Sequence, residues 1–269
     1  MVTSAILVAR PPTVARPFGR AARMFERNVI VYRSSWFVLV SGLLEPLLYL
    51  GSVGVGFGKL VGTLPYDGHR VGYAQFVAPA LLATSAMNGA IVDATFGVFH
   101  KLKHMKVYDA VLATPVGATD IAIGEVAWSL ARGLIYALAF LVVAAAFGDI
   151  QSWWALLALP ASLLIGLCFA GVGTAATTYM RSWQDFDLVQ LAILPLFLFS
   201  ATFYPLSTYP AGVRWGVELT PLYHGVALLR QLTLGGLGWS ILGHVAYLLA
   251  LGVAGVVVAG RRLEQRLLR

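Results

Sequence analysis

Four ionisable residues stand in stretches that are otherwise apolar: Glu45, Asp93, Glu125 and Arg132. An ionised side chain at the centre of a bilayer costs about 2.5–3.5 kcal/mol or more unless it is paired or faces water. Glu45 precedes Pro46, whose ring removes a backbone donor, so a helix there is expected to kink and leave carbonyls seeking partners. Glu125 and Arg132 lie two turns apart on one helical face with Trp128 between them. Arg132 can therefore pair with a carboxylate on a neighbouring helix or lie across that indole. Such groups line a polar pathway, hold a solute headgroup, or act as staples between helices. The residues alone leave all three open.

Other candidate chemistry is weaker. His100 and His104 have the i, i+4 spacing of metal ligands, but the run is His-Lys-Leu-Lys-His. It lacks the glutamate of HExxH, and its lysines repel a cation, so a solvated helix is the expected reading. No GxxxxGK[ST] loop occurs, which excludes ATP hydrolysis of the P-loop kind by this chain. Gly51, Gly54, Gly56 and Gly58 fall in or at the end of an apolar stretch, where small residues serve close helix packing. The lone cysteine, Cys168, offers neither a disulfide nor a thiol pair. No catalytic residue, metal or cofactor is expected on the chain.

The elements that carry these residues are membrane spans. Apolar residues make up 59% of the chain and charged ones 12%, against roughly half and a quarter in soluble domains. Six segments have the roughly twenty apolar residues that a spanning helix needs: Trp36–Gly58, Tyr73–Phe99, Ile121–Phe147, Trp153–Met180, Leu188–Leu206 and Trp239–Gly260. Backbone satisfaction in lipid makes them helices, so the fold class is all-α and integral to the membrane. The apolar run before Arg10 is too short for a signal peptide, which leaves targeting to the first span.

Lysine and arginine set the orientation. Six arginines (10, 16, 20, 23, 27 and 33) precede the first span; Lys101, Lys103 and Lys106 follow the second, Arg181 the fourth, and Arg261, Arg262, Arg266 and Arg269 the sixth. The other side carries Lys59, Arg70, Arg214 and Arg230, so both termini are expected in the cytoplasm. The net charge of +7 lies in loops and ends rather than on one face, so no nucleic acid is expected as a partner. Within residues 1–35, Phe18, Ala22, Phe25, Val29, Tyr32 and Trp36 form one stripe, with Arg16, Arg20, Arg23 and Arg27 about half a turn away. This is the pattern of an amphipathic helix lying on anionic membrane lipids. Residues 36–260 form the spanning domain, and 261–269 a basic cytoplasmic tail. Within the domain, segment 207–237 is apolar but broken by Pro210, Pro221, Gly235 and Gly236, which suits two short helices that dip into the outer leaflet and return.

Two blocks carry a resemblance. The first is Val107-Tyr108-Asp109-Ala110-Val111-Leu112-Ala113-Thr114-Pro115-Val116, followed by Asp120-Ile121 and Gly124-Glu125. The second is Ser200-Ala201-Thr202-Phe203-Tyr204-Pro205-Leu206, then Pro210, Thr220-Pro221-Leu222-Tyr223-His224 and Leu229-Arg230. Together they resemble the permeases of type-2 ABC exporters over essentially the whole chain, with a likeness to the nodulation lipo-oligosaccharide and daunorubicin-resistance membrane subunits. Members usually carry a glycine near Ala201, and often an arginine and an acidic residue where Met105 to Asp109 stand here.

The resemblance implies a permease without its own motor. Residues 100–117 would form a cytoplasmic coupling helix that meets a separate ATP-binding cassette subunit through Lys103, Tyr108, Asp109, Leu112 and Pro115. Two such subunits would hold ATP and Mg. Phe203, Tyr204, Pro205, Pro221, His224 and Arg230 would belong to an outer gate, and Phe18–Trp36 to an interfacial connecting helix. Six spans are few to enclose a route, so a second permease copy or a related chain is expected. The implied activity is ATP-driven export of an amphiphile, such as a lipid-linked glycan or a hydrophobic drug, across the plasma membrane. An ion-coupled carrier using Asp93 and Glu45, an intramembrane enzyme and a purely structural subunit are the competing readings.

Overall fold

A computed structural model describes residues 17–33, 44, 48–52, 56–66, 68–148, 153–236 and 238–267. Trp36, Glu45 and most of the first expected span lie outside the described residues. Chain order is α1 (Pro17–Arg33), α2 (Gly58–Val61), β1 (Thr63–Tyr66), β2 (His69–Gly72) and α3 (Tyr73–His104). It continues with α4 (Val107–Leu112), α5 (Ala118–Ala146), α6 (Trp153–Thr177), α7 (Asp185–Phe199), α8 (Ala211–Glu218), α9 (Pro221–Leu234) and α10 (Ser240–Leu267).

Among the described residues, four helices are long and apolar enough to cross a membrane: α3, α5, α6 and α10. They cover the second, third, fourth and sixth expected spans. Two run on past their expected ends. α3 continues beyond Phe99 to His104, and α10 continues beyond Gly260 to Leu267. Arg261, Arg262 and Arg266 are thus part of a helix, where the Arg262 guanidinium lies 4.1 Å from the Tyr179 ring centre. The fifth expected segment, Leu188–Leu206, stops being helical at Phe199, which leaves α7 with 15 residues, short of the length expected of a span. The all-α expectation also meets an exception. β1 and β2 form an antiparallel hairpin with Thr63 opposite Gly72, turning through Gly68 at φ +79°. Tyr66 at its tip packs edge-on against Phe76 of α3.

α3, α5, α6, α9 and α10 pack around a core rich in alanine and leucine, with Phe76, Met87, Phe140, Ile165, Leu229 and Leu248 fully or almost fully buried. Backbone contact at one crossing explains the tight fit. A Cβ on Gly255 of α10 would lie 2.6 Å from Val172 N and 2.8 Å from Gly171 O of α6, so a glycine is required.

α1 packs on the rest of the protein by one narrow face. Its protein-facing side is Ala21, Met24 and Asn28, while Ala22 and Val29 of the apolar stripe are exposed. A helix between protein and lipid has two apolar surroundings. The small and polar face takes the protein side because Gly124 of α5 leaves space only there: a Cβ at Gly124 would sit 2.9 Å from Ala21 O.

After α7 the chain bends through Ala201, which adopts φ +55°, a left-handed conformation that favours glycine. Relief of about 1–2 kcal/mol of strain in Ala201→Gly is opposed by about 0.4–1 kcal/mol of chain entropy and about 0.8 kcal/mol for the buried methyl. Ala201→Gly is therefore expected to leave thermal unfolding in detergent nearly unchanged. Ala201→Val, which adds a branched Cβ in the same conformation, should lower the unfolding temperature. Equal tolerance of both would show that residue 201 is not held left-handed.

Candidate functional site

The charged residues converge where α1, α3 and α5 meet. α3 is widened in two turns, Asp93–Gly97 and His100–His104; in the second, Met105 N–H donates to His100 O, five residues back, at 3.0 Å. Such turns are frequent at functional sites because each shifts the register of the helix beyond it. Here both Asp93 and Lys101 reach the same face of α5. Lys101 Nζ lies 2.6 Å from Glu125 Oε2 and donates to Asn28 Oδ1 of α1 at 3.1 Å, while Asn28 Nδ2 donates to that same Glu125 oxygen at 3.1 Å. Two turns along α5, Arg132 Nη1 lies 2.6 Å from Asp93 Oδ1. Arg132 Nε donates to Tyr136 Oη at 3.0 Å, and Tyr32 Oη of α1 approaches Asp93 Oδ1 at 3.4 Å.

Arg132 thus takes the carboxylate rather than the indole. Trp128 packs instead against Tyr32, at 4.9 Å between ring centres, and against Phe25 at 5.9 Å. Of the four residues singled out in the sequence, Asp93, Glu125 and Arg132 come together, and Glu45 lies outside the described residues. Lys101, Asn28 and Tyr32 were missed. The available signal for Lys101 was its place as the first lysine after an apolar run, where a long stem reaches back into the protein.

The short helix α4 is rooted in this cluster. Lys106 at φ +47° turns the chain from α3 into α4, and Tyr108 is then fully buried among Met24, Val98, Ile121 and Leu263. Burial, and then the neighbouring Glu125 carboxylate, hold the Tyr108 phenol well above its usual pKa. Tyr108 therefore offers no exposed surface in this conformation, whereas the resemblance implied a contact with another subunit. Lys103, Asp109 and Pro115 are exposed and Leu112 is half-buried. Thr114 closes α4 by donating to Val111 O at 2.6 Å, and Asp120 opens α5 by accepting from Gly117 N–H at 3.0 Å. Four buried atoms here have no hydrogen-bond partner among the described residues: donors Tyr108 Oη and Trp128 Nε1, and acceptors Glu125 Oε1 and Asp93 Oδ2. Native interiors leave few such atoms, so two donors and two acceptors in one cluster mark a place able to rearrange.

The residues expected at an outer gate divide. Thr220 caps α9 by accepting from Tyr223 N–H at 3.3 Å, with Pro221 at the first helical position. Pro205, His224 and Arg230 line one cavity, whereas Phe203 packs on Phe197 and Tyr204 on Tyr209. Two further cavities flank α7. One of about 370 Å³ is lined by Thr84, Ser85, Asn88 and Gln190 together with Tyr49 and Phe197. The other, about 630 Å³, is apolar, with Arg181 and Asp185 at one end. His100 stacks on His104 and His104 on Trp183, and no group of three metal-binding side chains occurs among the described residues.

The Arg132–Asp93 pair generates a test. Removing one partner of a buried ion pair costs about 3–5 kcal/mol, whereas replacing both by apolar residues is often neutral. Asp93→Leu and Arg132→Leu are each expected to lower the unfolding temperature in detergent more than the double replacement does. A double variant less stable than both singles would contradict the pairing.

Comparison with known proteins agrees with this architecture. The family profile described as ABC-2 type transporter matches residues 21–234. Nodulation protein J of Rhizobium leguminosarum bv. trifolii is 32% identical over 249 residues, covering 91% of this chain and 93% of the relative. Nodulation protein J of Rhizobium meliloti strain 1021 is 29% identical over 248 residues, with 91% and 93% covered. The inner membrane transport permease YadH of Escherichia coli K12 is 26% identical over 200 residues, with 74% and 77% covered. The chain belongs to the ABC-2 type transporter family: it is a multi-pass membrane permease of an ABC exporter, and ATP hydrolysis lies on a separate subunit.

Proposed function

We propose that this permease exports an amphiphile across the plasma membrane, driven by two ATP-binding subunits that hold ATP and Mg. The observation that carries the amphiphile is the pair of cavities beside α7. The one with a polar patch (Thr84, Ser85, Asn88, Gln190) and the apolar one (Val172, Ala176, Leu188, Leu196) share Ile193 as a wall. A solute with a polar head and an apolar tail can present each part to a matching surface while it passes. α7 buries none of its own residues and exposes Leu188, Leu191, Leu194 and Leu198, so we assign it to the face that meets a second permease copy.

The proposed topology has six spans, with the first and α7 completing the four long helices, and both termini in the cytoplasm. Residues 1–35 carry the connecting helix, 36–260 the spanning domain and 261–269 the tail. α8 and α9 form a re-entrant pair within 207–237 at the outer gate, which also includes Phe203, Tyr204, Pro205, Pro221, His224 and Arg230.

The docking surface on the ATP-binding subunit is the exposed side of residues 100–117, with Lys103, Asp109, Leu112 and Pro115 as contacts and Tyr108 as their root. Closure of the two motors would push α4 against the ion-paired cluster and shift the populations of inward- and outward-open states.

For the assembled complex in proteoliposomes, Asp109→Ala with Leu112→Ala should lower ATP turnover and transport together while membrane insertion is unchanged. Wild-type turnover and transport in that variant would sink the docking surface. A tag at either end should be reachable only from the cytoplasm, and its labelling from outside an intact cell would overturn the topology.

A further inference from the structure

Beyond a gating role for α9, we propose that the cavity beside it is a binding site for one anionic group of the phosphate or carboxylate class, with Arg230 as its cation. The cavity has a volume of about 460 Å³, and Tyr66, Phe76, Tyr223, His224, Arg230 and Ser240 are among its lining residues. Arg230 is 4% exposed. Its Nε donates to Phe76 O at 3.1 Å, and its Nη2 donates to Ala201 O at 3.0 Å and Thr202 O at 3.4 Å. The Phe76 ring centre lies 3.7 Å from the guanidinium carbon. These contacts fix the plane of the fork, but carbonyl dipoles and a ring supply no counter-charge.

The remaining nitrogen, Nη1, has no hydrogen-bond partner among the described residues, and no carboxylate of those residues lies within 4.0 Å of Arg230. A guanidinium is not deprotonated in proteins, so the charge persists. A buried, charged fork with free donors is the group that takes phosphate or carboxylate oxygens. His224 and His244 also line the cavity, with their Nδ1 atoms 2.8 Å apart. Glu218 lines the same cavity but is exposed, so its charge is screened by water and limits the site to a single anion.

The reading rests on chemistry that the transport cycle does not require, so its failure would leave the permease assignment intact. The test is binding to the full chain purified in dodecyl maltoside, followed by thermal shift, with dodecyl phosphate and inorganic phosphate as probes. Saturable stabilisation by either supports the site. Dodecyl phosphate alone would identify a lipid-like headgroup, and both probes together a free anion. Arg230→Gln should abolish the response. Should that variant fail to fold, Arg230→Lys, which keeps the charge and loses the fork, should weaken binding roughly tenfold. Glu218→Gln, at an exposed position, should strengthen it about twofold to fivefold. No saturable response from the wild type, or a response unchanged in both Glu218→Gln and the Arg230 variant that folds, would overturn the proposal.

Discussion

Two carboxylates that cannot stay unpaired in an apolar interior organise this protein. Glu125 and Asp93 each hold a cation at 2.6 Å, and each cation arrives from a different helix. Lys101 comes from the extension of α3 and Arg132 from α5, so the two bonds run in opposite senses between the same pair of helices. Such a pair resists both sliding and rotation. α1 joins through Asn28 and Tyr32, whose polar ends meet the same two carboxylates. In a low-dielectric setting, each bond is strong when complete and expensive when half-made, which fixes the register of three helices at once.

That register gives α4 its purpose. A six-residue helix has little stability of its own, and this one is held by buried Tyr108 beside Glu125 and by half-buried Val107, Val111 and Leu112. Under the proposed function, force applied to its exposed side would reach the ion-paired cluster through these contacts. The widened turns of α3 lie along the same route, and the unpaired donors and acceptors around Glu125 and Asp93 offer a second bonding pattern without a new charge. An outer counterpart exists at Arg230, which ties α9 to the start of α3 and to the bend at Ala201.

Much of this was legible in the residues. The long spans come from runs of apolar residues, and the intramembrane charges were visible as exceptions within those runs. The breakers Pro210 and Pro221 marked the starts of the short helices α8 and α9, and the block around Tyr108 and Pro115 contains the short helix α4. The hidden part depends on pairing across the sequence. Lys101 reads as one more loop lysine until a widened turn carries it to Glu125, 24 residues away. Asn28 is an ordinary polar residue until Gly124 admits α1. The side on which α1 packs could not be read, because an apolar stripe can face lipid as well as protein. Tyr108 was assigned outward for the related reason that a six-residue helix has no periodicity long enough to reveal its buried face. The β hairpin escaped notice because four-residue strands leave almost no pattern.

The central claim is that the drive enters this permease through the bend between α3 and α5. The most direct measurement places a photo-crosslinking residue at position 109 on that bend, and another at position 64 in the β hairpin, in the complex purified with its ATP-binding subunit. Capture of that subunit from position 109 and not from position 64 is the expected result. No adduct at 109, or equal capture from both positions, would contradict the claim.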